Sequence, residues 1–270
     1  MRPLRLAIAG LGAIGLEVAR RVDGGSIPGM ALVAVAALDQ AKARARLKPM
    51  RAKPKLLPLG ALAEEAEVVV ECVPAAQFAA VAEPAVNHGR LLMPLSVGAL
   101  LGRMDLVDRA RETGARIVVP SGAILGLDAL RAASEGSISS VRLITRKPPE
   151  GLAGAPFLAE RGLSVDGLTA PVKLFAGSAR EAVRGFPANL NVSIAVALAG
   201  IGPDRTEVEV WADPQVTRNT HTIEVHSDSS DFTMTIENIP CADNPRTGRI
   251  TALSVIASLR RLAAPLVIGT

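Results

Sequence analysis

The chain has 270 residues and a formal net charge of +4; 49% of it is apolar but only 2% aromatic, with one Trp, five Phe and no Tyr. That length supports two modest domains or one large one, and is enough to bury a core. The scarcity of rings argues against a protein that stacks the bases of single-stranded nucleic acid, and a tyrosine proton relay is excluded.

In chain order, the first 120 residues alternate short apolar runs with helical patterns. Leu4–Ala9 reads as a strand and leads directly into Gly10-Leu-Gly12-Ala13-Ile14-Gly15, after which 16–22 is helical. A second buried strand is predicted over 31–38, closing at Asp39. Further strands are predicted over 68–73, 91–95 and 116–119, with helices over 62–67, 77–88 and 104–113. Strands separated by single helices imply right-handed crossovers, hence an α/β fold with an N-terminal doubly wound (Rossmann) parallel sheet.

A GxGxxG string alone is a weak signal. Here it follows a strand, opens a helix and precedes an acid at the end of the second strand, the setting of a dinucleotide site. Gly10 permits the tight turn, Gly12 lets a pyrophosphate approach the backbone, and Gly15 lets helix and strand pack closely. Free N–H groups and the positive helix end meet the anion. The candidate cofactor-binding residues are Gly10, Gly12, Ala13, Ile14 and Gly15, with Asp39 as partner of the adenosine ribose.

A carboxylate at 39 favours NAD by repelling a 2′-phosphate, but Lys42, Arg44 and Arg46 follow at once and offset that repulsion. NAD and NADP therefore both stand as cofactors. Those cations open a run, Lys42, Arg44, Arg46, Lys48, Arg51, Lys53 and Lys55, unbroken by any acid. The run exceeds the net charge, so the remainder is slightly acidic and no distributed nucleic-acid footprint exists. A solvated face and a phosphate-accepting rim are its two readings.

Cys72 and Cys241 stand outside any CxxC, so neither a disulfide framework nor a metal site is expected, and Cys72 reads as a small buried hydrophobe. The uncharged stretch over 185–203 contains Pro187, Asn189 and Asn191, and its solid apolar part is too short to span a bilayer. A buried helix with Asn near its N-terminus is predicted there. No signal peptide is evident, so a cytoplasmic protein engaging neither membrane nor nucleic acid is expected.

After Pro120 a Gly-rich turn leads into a helix near Asp128. Segments over 207–211, 222–226 and 232–236 alternate with period two, marking half-buried strands of an α+β domain with a mainly antiparallel sheet. A last helix, over 247–262, is expected to return to the first domain. The expected organisation is a dinucleotide domain over 1–120, with 245–270 packing back on it, and a substrate domain over 121–244.

With Tyr absent, the histidines lead the candidates for proton transfer. His88 ends a helix before Gly89, where a cation meets the negative end of the dipole, so a capping role is expected. His226 shares parity with Thr222 and Glu224 on a solvated face. His221 shares parity with Ile223 and Val225 and so faces the covered side; catalytic and structural roles are both open to it on these grounds. Lys147 and Arg180 are candidates for holding carboxylates, with surface placement the alternative for each.

The motifs GLGAIG at 10–15, PSGAILGLDAL at 120–130, TRKPP at 145–149, GSAREAV at 177–183, FPANLNV at 186–192, DPQVTRNTHTI at 213–223 and NPRTGRITALSVIASLRRL at 244–262 follow one another along nearly the whole chain. With them the chain resembles the L-aspartate dehydrogenase family, two-domain enzymes tied to aspartate-dependent NAD biosynthesis. The resemblance implies oxidative deamination of L-aspartate, a small dicarboxylate amino acid, to iminoaspartate, with NAD or NADP taking the hydride. It assigns the catalytic acid/base to His221, in the NxH motif, and nicotinamide-side contacts to Ala123 and to Asn189 or Asn191. The chain departs from the family pattern at Thr222, at Gly248 and in VECVP at 70–74. A homo-oligomer, a dimer, is the expected assembly. The alternatives are a dehydrogenase of another small amino or keto acid, and a dinucleotide-binding sensor without chemistry.

Overall fold

The computed structural model describes residues 2–187, 190–241 and 244–269. The chain divides into two compact units, one formed by Met1–Gly122 with Thr251–Val267, the other by Ala123–Ile250 with Ile268–Thr270.

The first unit runs β1 (Leu4–Ala9), α1 (Ala13–Asp23), β2 (Met30–Ala36), α2 (Gln40–Leu47), β3 (Lys55–Leu56), α3 (Leu62–Glu65), β4 (Val68–Glu71), α4 (Phe78–Asn87), β5 (Leu91–Pro94), α5 (Val97–Leu101), α6 (Asp105–Thr113) and β6 (Arg116–Ile117). Its strands pair in parallel in the order β3-β2-β1-β4-β5-β6. The order reverses between β1 and β4, and the crevice beyond the carboxyl ends of those two strands is where such a sheet takes its ligand.

Side-chain size divides the two faces. Leu6 and Ile8 of β1 join a core with Leu16 and Val18 of α1 and with Val255, Ile256 and Leu259 of the last helix, Arg249–Ala263. Ala7 and Ala9, with Ala34 and Ala36 of β2, face the other way, and their small side chains let Leu62 of α3 and Phe78, Val81 and Ala82 of α4 pack close to the sheet.

The second strand stops at Ala36 rather than running to residue 38. Asp39 instead begins α2 as its N-cap, its carboxylate accepting the Lys42 N–H at 2.9 Å. The sequence expectations hold no helix there, because QAKARARL buries only Ala43 and Leu47 and so lacks an apolar stripe.

The second unit contains α7 (Leu127–Ala133), β7 (Ile138–Lys147), α8 (Pro156–Arg161), β8 (Val172–Ser178), α9 (Ala179–Gly185), α10 (Asn191–Ala199), β9 (Glu207–Ala212), β10 (Thr220–Ser227), β11 (Asp231–Glu237), β12 (Pro240–Cys241) and β13 (Asn244–Gly248). Five strands form a sheet in the order β11-β10-β7-β9-β8. Within it β7 and β9 run parallel and the other neighbours antiparallel. Three phenylalanines, Phe157, Phe175 and Phe186, cluster with ring centroids 5.1 to 6.1 Å apart. Helix α10 is buried from Val192 through Ala197, which is why it reads as apolar on all sides.

Candidate active site

The turn from β1 into α1 is shaped by glycine at each motif position. Gly10 has φ +96°, and a Cβ on it would lie 2.5 Å from the Cys72 carbonyl oxygen. A Cβ on Gly15 would lie 1.9 Å from the Gly10 carbonyl oxygen, whereas one on Gly12 would meet nothing within 4 Å. Gly12 is the N-cap of α1, with no side-chain cap and no acid in the first turn. An eleven-residue helix thus presents its N-terminal N–H groups and positive end, with Ala13 and Ile14 as its first residues, behind open space. The Arg46 guanidinium donates to the Leu11 carbonyl, bringing one cation of the basic run onto this turn. The loop fits a dinucleotide pyrophosphate: it would hold the diphosphate on backbone N–H groups, with exposed Asp39, the N-cap of α2, three residues beyond the adjacent strand.

Glu71, at the carboxyl end of β4, is fully buried beside the same crevice. Its carboxylate accepts the Val73 N–H at 2.9 Å, the Leu95 N–H at 3.2 Å, and the Ser96 N–H and hydroxyl at 2.9 and 3.0 Å. Burial raises its pKa against the pull of those bonds. Glu71 therefore ties together the chain segments that follow β4 and β5. Burial, with the Glu71 charge, pushes the Cys72 thiol well up, so Cys72 is not a nucleophile poised for use.

In the second unit, His221 on β10 lies opposite Thr145 on β7, and the two meet at 3.1 Å through Nδ1 and Oγ1. Lys147, two residues further along β7, projects to the same buried face; His221 is 2% and Lys147 4% exposed. Burial first, and then the Lys147 charge, push the His221 pKa down to about 3. Burial alone brings Lys147 down to about 8. The imidazole is thus a neutral base at neutral pH, beside the Lys147 ammonium. Among the described residues, no group of His, Cys, Asp and Glu could hold a metal ion.

The remaining sequence candidates separate clearly. Ala123 is half-buried, and its carbonyl accepts Asn238 Nδ2 at 3.0 Å. Asn191 is the first residue of α10, while Asn189 lies outside the described residues. Arg180 is engaged by Asp204 through two bonds of 2.6 and 2.8 Å at an exposed position, so it is not held ready for a substrate carboxylate. His88 is the C-cap of α4, its ring on the Pro84 carbonyl at 2.8 Å, and His226 pairs with Asp231 in solvent at 3.1 Å.

Residues 128–262 match the family described as aspartate dehydrogenase, C-terminal, and residues 10–120 match the NAD binding domain of homoserine dehydrogenase. Over 267 residues, 99% of its length, the chain is 55% identical to an L-aspartate dehydrogenase of Bradyrhizobium diazoefficiens, of which the match covers 94%. The chain belongs to the L-aspartate dehydrogenase family. An L-aspartate dehydrogenase of Methanocella arvoryzae is 42% identical over 270 residues, covering 98% of this chain and 99% of the relative.

The crystal structure of an aspartate dehydrogenase from Thermotoga maritima superposes with a TM-score of 0.76 at 23% identity, covering 98% of this chain and 99% of that one, and so shares the fold. A scyllo-inositol dehydrogenase from Lactobacillus casei, solved with NAD(H) and scyllo-inositol, shares it more loosely, with a TM-score of 0.54 at 13% identity, covering 97% and 88%.

Within this aspartate dehydrogenase family member, pattern reading missed Glu71, Thr145 and Asn238. A carboxylate at the end of an apolar strand is the one signal that marks Glu71 in advance, since burial there demands compensating donors.

Proposed function

We propose that the protein oxidises L-aspartate to iminoaspartate with NAD or NADP, the first unit holding the dinucleotide and the second the amino acid. The observation that carries this reading is the buried His221–Thr145 pair beside buried Lys147, in a chain that also carries the glycine loop. Lys147 supplies a desolvated positive charge for a substrate carboxylate. Thr145 holds Nδ1 of His221, which leaves Nε2 to take the proton that the substrate amine loses as the C=N bond forms. A dinucleotide held by the glycine loop would supply the acceptor for the hydride that leaves the substrate Cα. Once the amine proton has passed to solvent, His221 is neutral again and takes a proton from the water that adds to the imine carbon, and the carbinolamine so formed expels ammonia to leave the keto acid. Ala123 and the Asn189–Asn191 segment serve the nicotinamide side, Gly10, Gly12, Ala13, Ile14 and Gly15 the pyrophosphate, and Asp39 the ribose. Arg46, whose guanidinium reaches the glycine turn from α2, supports acceptance of NADP beside NAD.

Among the described residues no helix is long and apolar enough to cross a membrane. We place the enzyme in the cytoplasm as a homo-oligomer; half-exposed Ile144 and Trp211 on the outer face of the second sheet support self-association, which light scattering tests.

Purified protein with L-aspartate and either dinucleotide should generate nicotinamide absorbance, and His221→Ala should lower kcat on the order of 10²–10⁴-fold without loss of fold. No turnover of aspartate by the wild type in either direction sinks the function. Turnover that survives His221→Ala sinks the acid/base assignment alone.

A further inference from the structure

Asn238 follows β11 and is buried, and neither the glycine loop nor the His221 pair accounts for it. Its backbone N–H donates to the Asn219 carbonyl at 2.8 Å, just ahead of the strand that carries His221. Its side-chain Nδ2 donates to the Ala123 carbonyl at 3.0 Å. Its Oδ1, by contrast, is buried with no hydrogen-bond partner among the described residues. Turning the amide over does not cure this, because it sets the oxygen against the Ala123 carbonyl. An orphaned buried acceptor is a cost that nothing local relieves, and such a group points to a positional role.

Gly248 makes the arrangement possible. A Cβ at that position would lie 2.9 Å from Asn238 Oδ1 and 3.2 Å from its Cβ and Cγ. One residue therefore joins the approach to His221 with the Ala123 segment, and a glycine stands behind it.

We infer that Asn238 is a positioning residue for the reaction: it fixes the Ala123 segment relative to the strand bearing His221, and Gly248 leaves the room it needs. This rests on the roles given to His221 and Ala123 under the proposed function. Misplacement of a reacting geometry by about 1 Å costs on the order of a hundredfold in rate, so even a slack brace is measurable.

Two variants test it. Asn238→Leu keeps the branched heavy-atom skeleton and removes the orphan oxygen together with the donor, so a purely structural role predicts kinetics unchanged. Gly248→Ala leaves Asn238 in the chain but crowds its Oδ1 off station, and serves also if Asn238→Leu fails to fold. Both should exchange amide hydrogens over 123–127 faster in the cofactor-free protein. Both should bind NADH several-fold more weakly by fluorescence titration and lose about tenfold in kcat, the worth of one lost hydrogen bond. Wild-type exchange over 123–127 with wild-type kinetics overturns the inference, and so does a lowered melting temperature with wild-type kcat, KM and NADH affinity. Should the wild type not oxidise aspartate at all, the proposed function fails, and the brace is judged on exchange and NADH titration: equal values in wild type and variants overturn it, a difference supports it.

Discussion

Lys147 sets the electrostatics of its surroundings because it is a cation in a dry place. In the unfolded chain it titrates near its ordinary 10.5 and His221 near 6.5, against about 8 and about 3 in the folded protein. The native chain therefore binds fewer protons than the unfolded one between about 3 and 6.5 through His221, and between about 8 and 10.5 through Lys147. Stability rises with pH through both windows, and the cost of burying the charged ammonium is in full force below about 8. Lys147→Met should lower kcat/KM for aspartate on the order of a hundredfold, the loss of one charge-assisted carboxylate contact. Succinate, a dicarboxylate with no amine to titrate, isolates the charge. Its affinity by calorimetry should fall as pH rises through about 8 in the wild type and stay low throughout in Lys147→Met. An affinity that is level across that range removes the ammonium from the carboxylate site. The parity of His221 with Ile223 and Val225 made its buried side legible in the sequence. The burial of Lys147 was not legible, because TRKPP reads equally well as a surface turn and only the position of β7 at the centre of a sheet decides it.

At the scale of elements, the β1–α1 turn separates two tasks that one motif merges. Gly15 is needed by the fold, since its Cβ would strike the Gly10 carbonyl; Gly12 is needed by the ligand, since its Cβ would enter open space. The Gly12 backbone, at φ −73°, accepts any residue. Gly12→Ala should therefore melt as the wild type does without cofactor, yet lose the rise in melting temperature that NAD confers. Gly15→Ala should be destabilised by about 1–3 kcal/mol before any cofactor is added, as overpacking predicts. If Gly12→Ala keeps the NAD-induced rise, the pyrophosphate does not approach the backbone there. The parallel sheet was legible because strands covered on both faces are apolar nearly throughout, as VVVE and MALVAVA show. Strand β7 was not, since ISSVRLITRK alternates only in part and spends two buried positions on Thr145 and Lys147. Helix α2 escaped for the opposite reason: six of its eight residues face solvent or nearly so, leaving no periodic stripe to read.

At the scale of the molecule, the basic run that colours the composition does not act as one patch: the Arg46 guanidinium reaches the Leu11 carbonyl of the glycine turn, while Lys55 pairs with Glu65 at 2.7 Å. Chain order matters as much. The first unit is closed by Thr251–Val267, from the far end of the sequence, and Val255, Ile256 and Leu259 enter the same core as Leu16 and Val18 of α1. Each large apolar side chain removed from a core costs about 2–5 kcal/mol, and three together rival the entire stability of a domain at about 5–15 kcal/mol. A chain ended after Gly248 should therefore lose NADH binding, and residues of the first 122 should be digested early in limited proteolysis. The second unit keeps its own core of Leu143, Val210 and Phe186 and should be digested later. Wild-type NADH affinity in the truncated chain would show that the last helix is dispensable to the first core. Loss of binding would mean that the glycine turn, although it is among the first residues made, gains a stable dinucleotide site only once the last helix has been synthesised and docked.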